Sequence, residues 1–269
     1  MPQNNPYKSK VFRKIVSLAG EAIHDYAMIS DHDRLLVGVS GGKDSLMLMH
    51  VLTYLQHRAP VSFELVPVCF DPGFPGFNID GTRKYFAMQG WKLEVIEFDV
   101  ETVLKEKHFE QQPCVLCSRL RRGWLYGRAD KLSCGKIALG HHLDDICVSL
   151  LMCMFRGHGI KTMPPNTAAD ASSKRLIRPL AYVPEALLQE AVEIFALPLS
   201  GECIYKEQLE ASGDRAFFGS MLKDLEQRIP HVRQCMLRSM KDIRLEFLLD
   251  EKFLDLSFGV ELEQTGHRF

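Results

Sequence analysis

The sequence predicts an α/β protein with an open, parallel, five-stranded sheet, helices on both faces of that sheet, and helical additions at both ends of the chain. Short apolar runs alternate with longer segments of helical periodicity, which is the pattern of βαβ units. The run Leu65–Phe70 is almost continuously apolar, as expected for a strand that is buried on both faces. Glycine, histidine and aspartate residues follow the apolar runs, at the edge where open parallel sheets bind ligands.

The strands and helices can be assigned in order along the chain. Apolar residues at helical spacing predict a first helix over 8–30, and a second helix over 44–57 ends before Pro60 because proline cannot continue it. The predicted strands are Leu35–Val39, Val61–Phe70, Leu93–Phe98, the segment from Lys136 to Gly140, and Arg175–Pro179. Further helices are predicted over 80–90, 117–132, 143–155, 185–195, 214–228 and 231–249.

This assignment divides the chain into three regions. They are an N-terminal helical extension (1–30), a central α/β domain (31–200) and a C-terminal helical extension (201–269). Residues 157–174 are small and polar and include prolines, which predicts a mobile loop over the ligand edge of the sheet.

Composition limits the class of protein without choosing a function. The 269-residue chain is 46% hydrophobic and 25% charged, as is ordinary for a soluble globular protein. A formal net charge of −1 argues against strong nonspecific binding to polyanions, although it is compatible with a local basic face. Met1–Lys10 lacks the apolar core of a signal peptide, and no apolar run approaches the ~20 residues of a membrane span. We therefore expect a cytoplasmic protein whose 8 cysteines are reduced.

A glycine-rich turn, Ser40-Gly41-Gly42-Lys43-Asp44-Ser45, joins the first strand to the second helix. Glycines let backbone N–H groups approach a ligand and the helix start adds partial positive charge, so the turn is predicted to bind a phosphate. A Walker A motif needs four residues between its first glycine and Gly-Lys-Ser/Thr, and this turn does not have that spacing. It has the PP-loop pattern of ATP pyrophosphatases, in which Lys43 is the candidate catalytic residue. The plainer alternative is an ordinary glycine turn.

A second informative segment contains Cys114 and Cys117, at the predicted N-terminus of a helix. That position favours the thiolate form, which binds metals. The pair alone leaves four alternatives open: half of a zinc site, a redox pair, two ligands of an iron–sulfur cluster, or coincidence. A tetrahedral zinc site needs two further ligands, and the sequence shows no second compact pair. Cys203 lies in a predicted loop and could supply a third, remote ligand.

Basic residues follow the cysteine pair on the same predicted helix: Arg119, Arg121, Arg122 and Arg128. A charge run by itself favours a solvated helix face. The alternative is a surface that contacts the phosphate backbone of a nucleic acid.

The segment Gly140-His141-His142-Leu143-Asp144-Asp145 follows the fourth strand and therefore reaches the same sheet edge as the glycine-rich turn. Its carboxylates and imidazoles allow three roles: magnesium binding on ATP, capping of the next helix, or binding of a transition metal. Magnesium prefers oxygen ligands, so we assign it to the aspartates, with Asp144 as the ligand. Gly140 and His141 are assigned to the ATP site, and Asp144 and Asp145 to catalysis.

Five motifs together resemble the tRNA 2-thiocytidine synthetase (TtcA) family of PP-loop ATP pyrophosphatases: Ser40–Ser45, Cys114–Arg122, Gly140–Asp145, Met163–Pro165 and Ile177–Tyr182. The resemblance implies an adenine nucleotide alpha hydrolase-like fold. It also implies an adenylating tRNA thiolase that uses ATP and Mg²⁺ and holds a [4Fe–4S] cluster. The cluster ligands that it implies are Cys114, Cys117 and Cys203. Around the third ligand the family has Pro-Cys-x-x-Cys-Gly, whereas this chain has a single cysteine, Cys203, so this ligand departs from the family pattern.

The implied reaction transfers AMP from ATP to the C2 carbonyl of a cytidine, at position 32 of tRNA, and then replaces the activated oxygen with sulfur. Lys43 and the loop N–H groups would neutralise charge on the phosphates, with Mg²⁺ at Asp144 or Asp145 adding to this effect. The expected partners are tRNA and a sulfur donor such as a cysteine desulfurase, in a homodimer without membrane contact. Two alternatives stay open: an enzyme of the same branch that adenylates another nucleobase or a small acceptor, and a non-catalytic tRNA-binding or redox-sensing relic.

Overall fold

The computed structural model describes residues 5–73, 79–100, 102–103, 113–169, 173–198 and 213–254; within the segment that begins at 113, side chains are described from residue 120. The strands are β1 (Asp33–Val39), β2 (Phe63–Asp71), β3 (Glu94–Glu97), β4 (Lys136–Ala138), β5 (Asn166–Ala168) and β6 (Arg175–Ile177). The α-helices longer than one turn are α1 (Lys10–Asp25), α2 (Lys43–Gln56), α3 (Asp80–Met88), α4 (Pro113–Lys131), α5 (Leu143–Phe155), α6 (Glu185–Phe195), α7 (Asp214–Arg228) and α8 (Val232–Lys241).

The six strands form one sheet in the order β3-β2-β1-β4-β6-β5. The first five of these are mutually parallel, and β5 pairs with β6 in the antiparallel direction. The predicted open parallel sheet is therefore confirmed, but the predicted number of five strands is one too few. The additional edge strand, Asn166–Ala168, lies in the segment that was predicted to be a loop. Its three residues are too few to show an apolar alternation, so no sequence pattern marks it.

Helices cover both faces of the sheet. Leu35, Val37 and Val39 of β1 belong to a core that includes residues of α1, α2, α3 and α6, whereas Leu36 packs with α4 in a separate cluster. Successive strand residues point to opposite faces, so the continuous apolar run of β1 serves two cores. A third cluster lies between α5, α7 and α8. The C-terminal helices are thus attached to the sheet through α5.

The two ends of the chain pack in different ways. Phe12 and Ile15 of α1 are fully buried in the main core, so the first helix shares that core with the sheet. Helix α8 ends at Lys241, and the prediction that a helix continues to residue 249 is wrong. Phe247 and Leu249 are exposed, so a longer helix would have had no packed apolar face to stabilise it. The division of the chain at residues 30 and 200 stays a prediction. None of the helices in the described ranges is long and apolar enough to cross a membrane.

Candidate functional site

Two loops at the carboxyl edge of the sheet form the centre of the site. One loop follows β1 and the other follows β4, which is the neighbour of β1 in the sheet. The chain continues from β1 to β2 on one side and from β4 to β6 on the other, so the strand order reverses between β1 and β4. Ligands of open α/β sheets bind at such a switch point, where the diverging crossovers leave a crevice. The topology therefore places the predicted phosphate loop and the predicted catalytic segment side by side.

The glycine-rich turn after β1 is held by the serines at its two ends. The amide N–H of Ser40 donates to Ser45 Oγ (3.1 Å), and the Ser45 hydroxyl donates to the Gly42 carbonyl (2.9 Å). Gly41 has a φ of 79°, in the left-handed region that favours glycine. Among the described residues, no side chain caps α2 at Gly42. The first N–H groups of α2 can therefore donate to a bound phosphate.

The loop after β4 lies directly against this turn. A Cβ atom on Gly140 would be 3.0 Å from the backbone carbon of Asp44 and 3.0 Å from the backbone nitrogen of Ser45. Favourable contacts between carbon atoms lie at about 3.5–4.0 Å, so only glycine fits here without displacing a backbone. Gly140 thus sets the distance between the two halves of the site.

A first cavity, of about 790 Å³, opens at these loops. Its apolar lining includes Val39, Phe70, Leu125 and Leu139. Its polar lining consists of Ser40, Asp44, Ser45, Arg121, Arg122, Tyr126, His141, Asp145, Thr162, Thr167, Arg178 and Arg215. Apolar surface beside converging cations and a phosphate-binding turn is what a nucleotide requires for its base and its phosphates. The segment predicted to be a mobile loop, 157–174, contributes to this lining through Thr162 and Thr167.

A second cavity, of about 810 Å³, adjoins the first and shares Asp44, Asp145 and Arg215 with it. Lys43 lines this second cavity. Its Nζ is 3.0 Å from Glu185 Oε1 and 3.3 Å from Asp44 Oδ1. Burial alone would lower the pKa of Lys43, but the two carboxylates outweigh burial and raise that pKa. Lys43 is therefore a permanent cation beside the phosphate loop.

Asp144, in the first turn of α5, uses both of its carboxylate oxygens in contacts with other elements. Oδ2 accepts from the amide N–H of Glu185 (2.8 Å), and Oδ1 is hydrogen-bonded to Arg233 of α8. The side chain is buried. These contacts connect α5 to α6 and α8. The roles of Asp144 in catalysis and in magnesium binding stay predictions.

Asp145 caps α5 and also contacts α7. Its Oδ2 accepts from the amide N–H of His142 (3.1 Å), which is the capping role that the sequence allowed. Its Oδ1 accepts from Arg215 (3.1 Å). Asp145 lines both cavities, so its carboxylate lies where a ligand in either cavity could meet it.

Two buried nitrogen atoms on residues that line the first cavity have no hydrogen-bond partner in the described part of the chain: His141 Nδ1 and Arg178 Nε. Burial raises the pKa of Asp44 and lowers the pKa of His141 to about 4, so His141 is neutral at pH 7. Buried polar groups without partners are rare in proteins, and a ligand is one explanation for them. The two nitrogen atoms suit polar groups of a nucleotide.

The described ranges contain no group of three or more His, Cys, Asp or Glu residues that could hold a metal ion. That finding does not bear on Mg²⁺, because proteins usually hold this ion through one or two carboxylates together with substrate phosphates. It does not bear on the predicted cluster ligands. Cys114 and Cys117 lie in the first turns of α4, but their side chains are not among those described, and Cys203 lies outside the described residues.

The N-terminus of α4 nevertheless lies near the first cavity. Arg121 of α4 lines that cavity and is four residues, or about 6 Å along the helix axis, from Cys117. Helix α4 also leads into β4, so it runs opposite to the strands and begins at their carboxyl edge. The cysteine pair is therefore carried by backbone at the same edge as the glycine-rich turn.

The predicted arginine surface divides into two parts. Arg121 and Arg122 are exposed and line the first cavity. Arg128 forms an ion pair with Glu94 of β3 and is half-buried. The side chain of Arg119 lies outside the described set. A role in nucleic-acid binding stays a prediction for these residues.

Sequence patterns did not identify several side chains of the site. Arg178 could have been found, because it directly follows β6 at the same sheet edge as the two loops. Arg215 and Arg233 could not, because they lie 70 and 89 residues from Asp145 and Asp144 in the chain. Glu185 lies 142 residues from Lys43 and carries no motif of its own.

Comparisons with known proteins identify the family of the chain. The PP-loop domain family matches residues 8–197. The tRNA-cytidine(32) 2-sulfurtransferase of Syntrophotalea carbinolica is 37% identical over 249 residues, which is 92% of this chain and 96% of that protein. The protein of the same name from Deinococcus radiodurans is 40% identical and covers 94% of this chain and 84% of its own length.

Among solved structures, the chain is similar to the U34-tRNA thiolase NcsA from Methanococcus maripaludis with its [4Fe-4S] cluster. The TM-score is 0.71 at 20% identity, over 86% of this chain and 78% of that one. A likeness at this identity supports the fold. The sequence matches confirm the family resemblance that the five motifs predicted. The chain therefore belongs to the PP-loop family and, within it, to the tRNA-cytidine(32) 2-sulfurtransferases.

Proposed function

We propose that this chain is an ATP-dependent tRNA sulfurtransferase that replaces the C2 oxygen of cytidine 32 with sulfur. The observation that carries the proposal is the similarity to enzymes of that name over 92% and 94% of the chain. The geometry supports it, because a phosphate-binding turn and converging arginines surround a cavity of about 790 Å³. The site must then activate the C2 oxygen of the cytidine, which is a poor leaving group, and admit a sulfur nucleophile.

ATP is the first substrate, and the carbonyl oxygen of the cytidine is the nucleophile toward it. That oxygen attacks the α-phosphorus, the bond from the α-phosphorus to the bridging oxygen breaks, and pyrophosphate leaves. Negative charge grows on the departing phosphates. The N–H groups at the start of α2 and the ammonium group of Lys43 are placed to stabilise this charge. Asp144 or Asp145 would hold Mg²⁺, which when bound supplies further neutralisation of the phosphates.

The second half of the reaction removes the activated oxygen. A sulfur nucleophile attacks C2, the bond from C2 to the oxygen breaks, and AMP leaves with that oxygen. Cys114, Cys117 and Cys203 would hold a [4Fe–4S] cluster, which when bound by three cysteines offers one iron to a sulfide. The backbone of α4 brings the first two cysteines to the edge where the nucleotide binds. A donor such as a cysteine desulfurase supplies the sulfur in this proposal, and the reaction takes place in the cytoplasm. A homodimer stays a prediction.

The tRNA contact follows from the charge of the α4 surface. Arg121 and Arg122 are exposed and line the first cavity, so they can bind phosphates of a strand whose base enters that cavity. The formal net charge of −1 makes this a local basic surface rather than a general affinity for polyanions.

The activity is tested with anaerobically purified protein, ATP, Mg²⁺, sulfide and tRNA transcripts. We expect pyrophosphate release that depends on tRNA, and 2-thiocytidine in the nucleosides of a transcript with cytidine 32 but not of one with uridine 32. AMP formation on a small acceptor without tRNA would favour the alternative enzyme. A protein that forms no AMP with any tRNA would refute the proposal.

The cluster is tested by iron analysis and absorbance spectroscopy of the same preparation. We expect about four iron atoms per chain. Cys203→Ala should lower the iron content and abolish thiolation, whereas Cys235→Ala, which changes an exposed cysteine of α8, should change neither. A colourless protein with stoichiometric zinc would contradict the cluster, and unchanged iron in the Cys203 variant would show that another group is the third ligand.

A further inference from the structure

The amine of Lys43 lies between two carboxylates on the side of the phosphate loop that faces the second cavity. Its Nζ is 3.0 Å from Glu185 Oε1 and 3.3 Å from Asp44 Oδ1, and the side chain is 18% exposed. In the described part of the chain, Lys43 lines the second cavity, whereas Ser40 and Ser45 of the same turn line the first. The ammonium group of Lys43 and the hydroxyl groups of Ser40 and Ser45 therefore line different cavities.

Glu185 is held in place by the elements around it. It is the first residue of α6, where the helix N-terminus favours a negative charge. Its own amide N–H donates to Asp144 Oδ2 (2.8 Å), and Asp144 is hydrogen-bonded in turn to Arg233. Arg233 also donates to Glu226 (2.7 Å), within the C-terminal helices. The backbone of Glu185 is thus fixed by contacts that run from α6 to α8, and its carboxylate, whose side chain is 44% exposed, is held by the ion pair with Lys43.

We propose that Glu185 competes with the β- and γ-phosphates of ATP for the ammonium group of Lys43. This inference rests on the proposed function, because it concerns the same ATP site. An ammonium group that already contacts two carboxylates is a weaker partner for a third anion, and a phosphate drawn to Lys43 also approaches the negative charge of Glu185. The competition weakens the binding of a polyphosphate and favours the release of pyrophosphate after AMP transfer. Glu185 is accordingly a positioning residue that acts on ATP through Lys43.

The competition predicts that the dissociation constants of ATP and pyrophosphate change while that of AMP does not, which a purely structural role of Glu185 would not produce. Glu185→Gln removes the charge and keeps a side chain of the same length. The dissociation constants of ATP and pyrophosphate should fall about 2- to 5-fold, which is the scale of a partly exposed ion pair. The dissociation constant of AMP should stay within about 2-fold, since AMP has no β- or γ-phosphate to meet Lys43. In turnover, KM for ATP should fall because ATP binds more tightly. The value of kcat should not rise, because pyrophosphate also binds more tightly and therefore dissociates more slowly.

The test is calorimetric titration of the full chain with Mg²⁺-ATP, pyrophosphate and AMP, without tRNA. The control is Glu190→Gln, on the same helix but exposed, which should leave all three constants unchanged. Glu185→Asp, which keeps the charge on a shorter side chain, should shift the ATP constant in the same direction by less; it also serves if the Gln variant does not fold. Failure of the wild-type chain to bind ATP would refute the proposed function. If the wild type binds ATP and the Glu185 variants bind it equally or less tightly, or if AMP shifts as much as ATP, the competition is overturned.

Discussion

Replacing Gly140 with alanine is the sharpest test of how the two loops make one site. The added Cβ atom would be 3.0 Å from the backbone carbon of Asp44, 3.0 Å from the backbone nitrogen of Ser45 and 3.2 Å from the carbonyl oxygen of Asp44. All three atoms belong to the backbone, so no side-chain rotation can relieve the contacts. To reach the ordinary carbon–carbon separation of about 3.5 Å, the phosphate-binding turn and the β4 loop must move apart by about 0.5 Å.

The size of the effect follows from that displacement. The N–H groups at the start of α2 would shift relative to the residues after β4, so ATP could not contact both loops at full strength. A misplacement of about 1 Å can reduce a rate by about 100-fold. We therefore expect kcat/KM for tRNA-dependent pyrophosphate release to fall by about 10- to 100-fold in Gly140→Ala, or about 1.4–2.8 kcal/mol of transition-state stabilisation.

The assay has a matched control at the other end of the same strand. Gly135 precedes β4, and a Cβ atom there would meet nothing within 4 Å, so Gly135→Ala should keep wild-type kinetics. Circular dichroism and the melting temperature would show that both variants fold. A folded Gly140→Ala protein with wild-type kcat/KM would refute the close packing of the two loops.

Two further predictions concern stability and tRNA binding. His50 is 1% exposed, and burial lowers its pKa from 6.5 to about 3, so below pH 6.5 the unfolded chain binds a proton that the folded chain excludes. Stability should therefore fall as the pH drops from 6.5 towards 3, by about 3 kcal/mol at pH 4.5. Urea unfolding at pH 7 and pH 4.5 should show a loss that is about 3 kcal/mol smaller in His50→Gln than in the wild type, while His141, whose pKa burial lowers to about 4, contributes to the total loss in both proteins. A change at exposed His57 should not reduce the loss, and equal losses in the His50 and His57 variants would contradict the assignment. For tRNA, Arg121→Ala and Arg122→Ala should each reduce the slope of log K against log salt by about 1, whereas Arg128→Ala, whose guanidinium is paired with Glu94, should leave the slope unchanged. A slope that changes only in the Arg128 variant would place the tRNA contact elsewhere on α4.

The fold could be predicted because its signals are local in the chain. The apolar runs of β1 and β2 reflect burial on both faces, and the glycine spacing of the phosphate loop reflects a backbone that must approach an anion. The rule that ligands bind at the carboxyl edge then placed the segments after β1 and β4 together. The errors lie where packing decides the structure. Asn166–Ala168 becomes a strand through pairing with β6, and α8 ends at Lys241 where its packed face ends.

The site was predicted less completely, because the tertiary structure decides which charged side chains contact one another. The sequence by itself determined the fold class, the phosphate loop, the segment from Gly140 to Asp145 and the family. The fold class follows from the alternation of apolar runs and helical segments along the chain, and the family from five motifs that each consist of consecutive residues. Only the tertiary structure decided that Lys43 contacts Glu185, that Asp144 contacts Arg233, and that Arg128 is paired with Glu94 while Arg121 and Arg122 line the cavity. Chain segments 142 and 89 residues apart meet in the first two contacts, and nothing in the local pattern of either segment specifies its partner. Which charges bind a ligand and which neutralise each other is therefore settled by how the helices pack around the sheet.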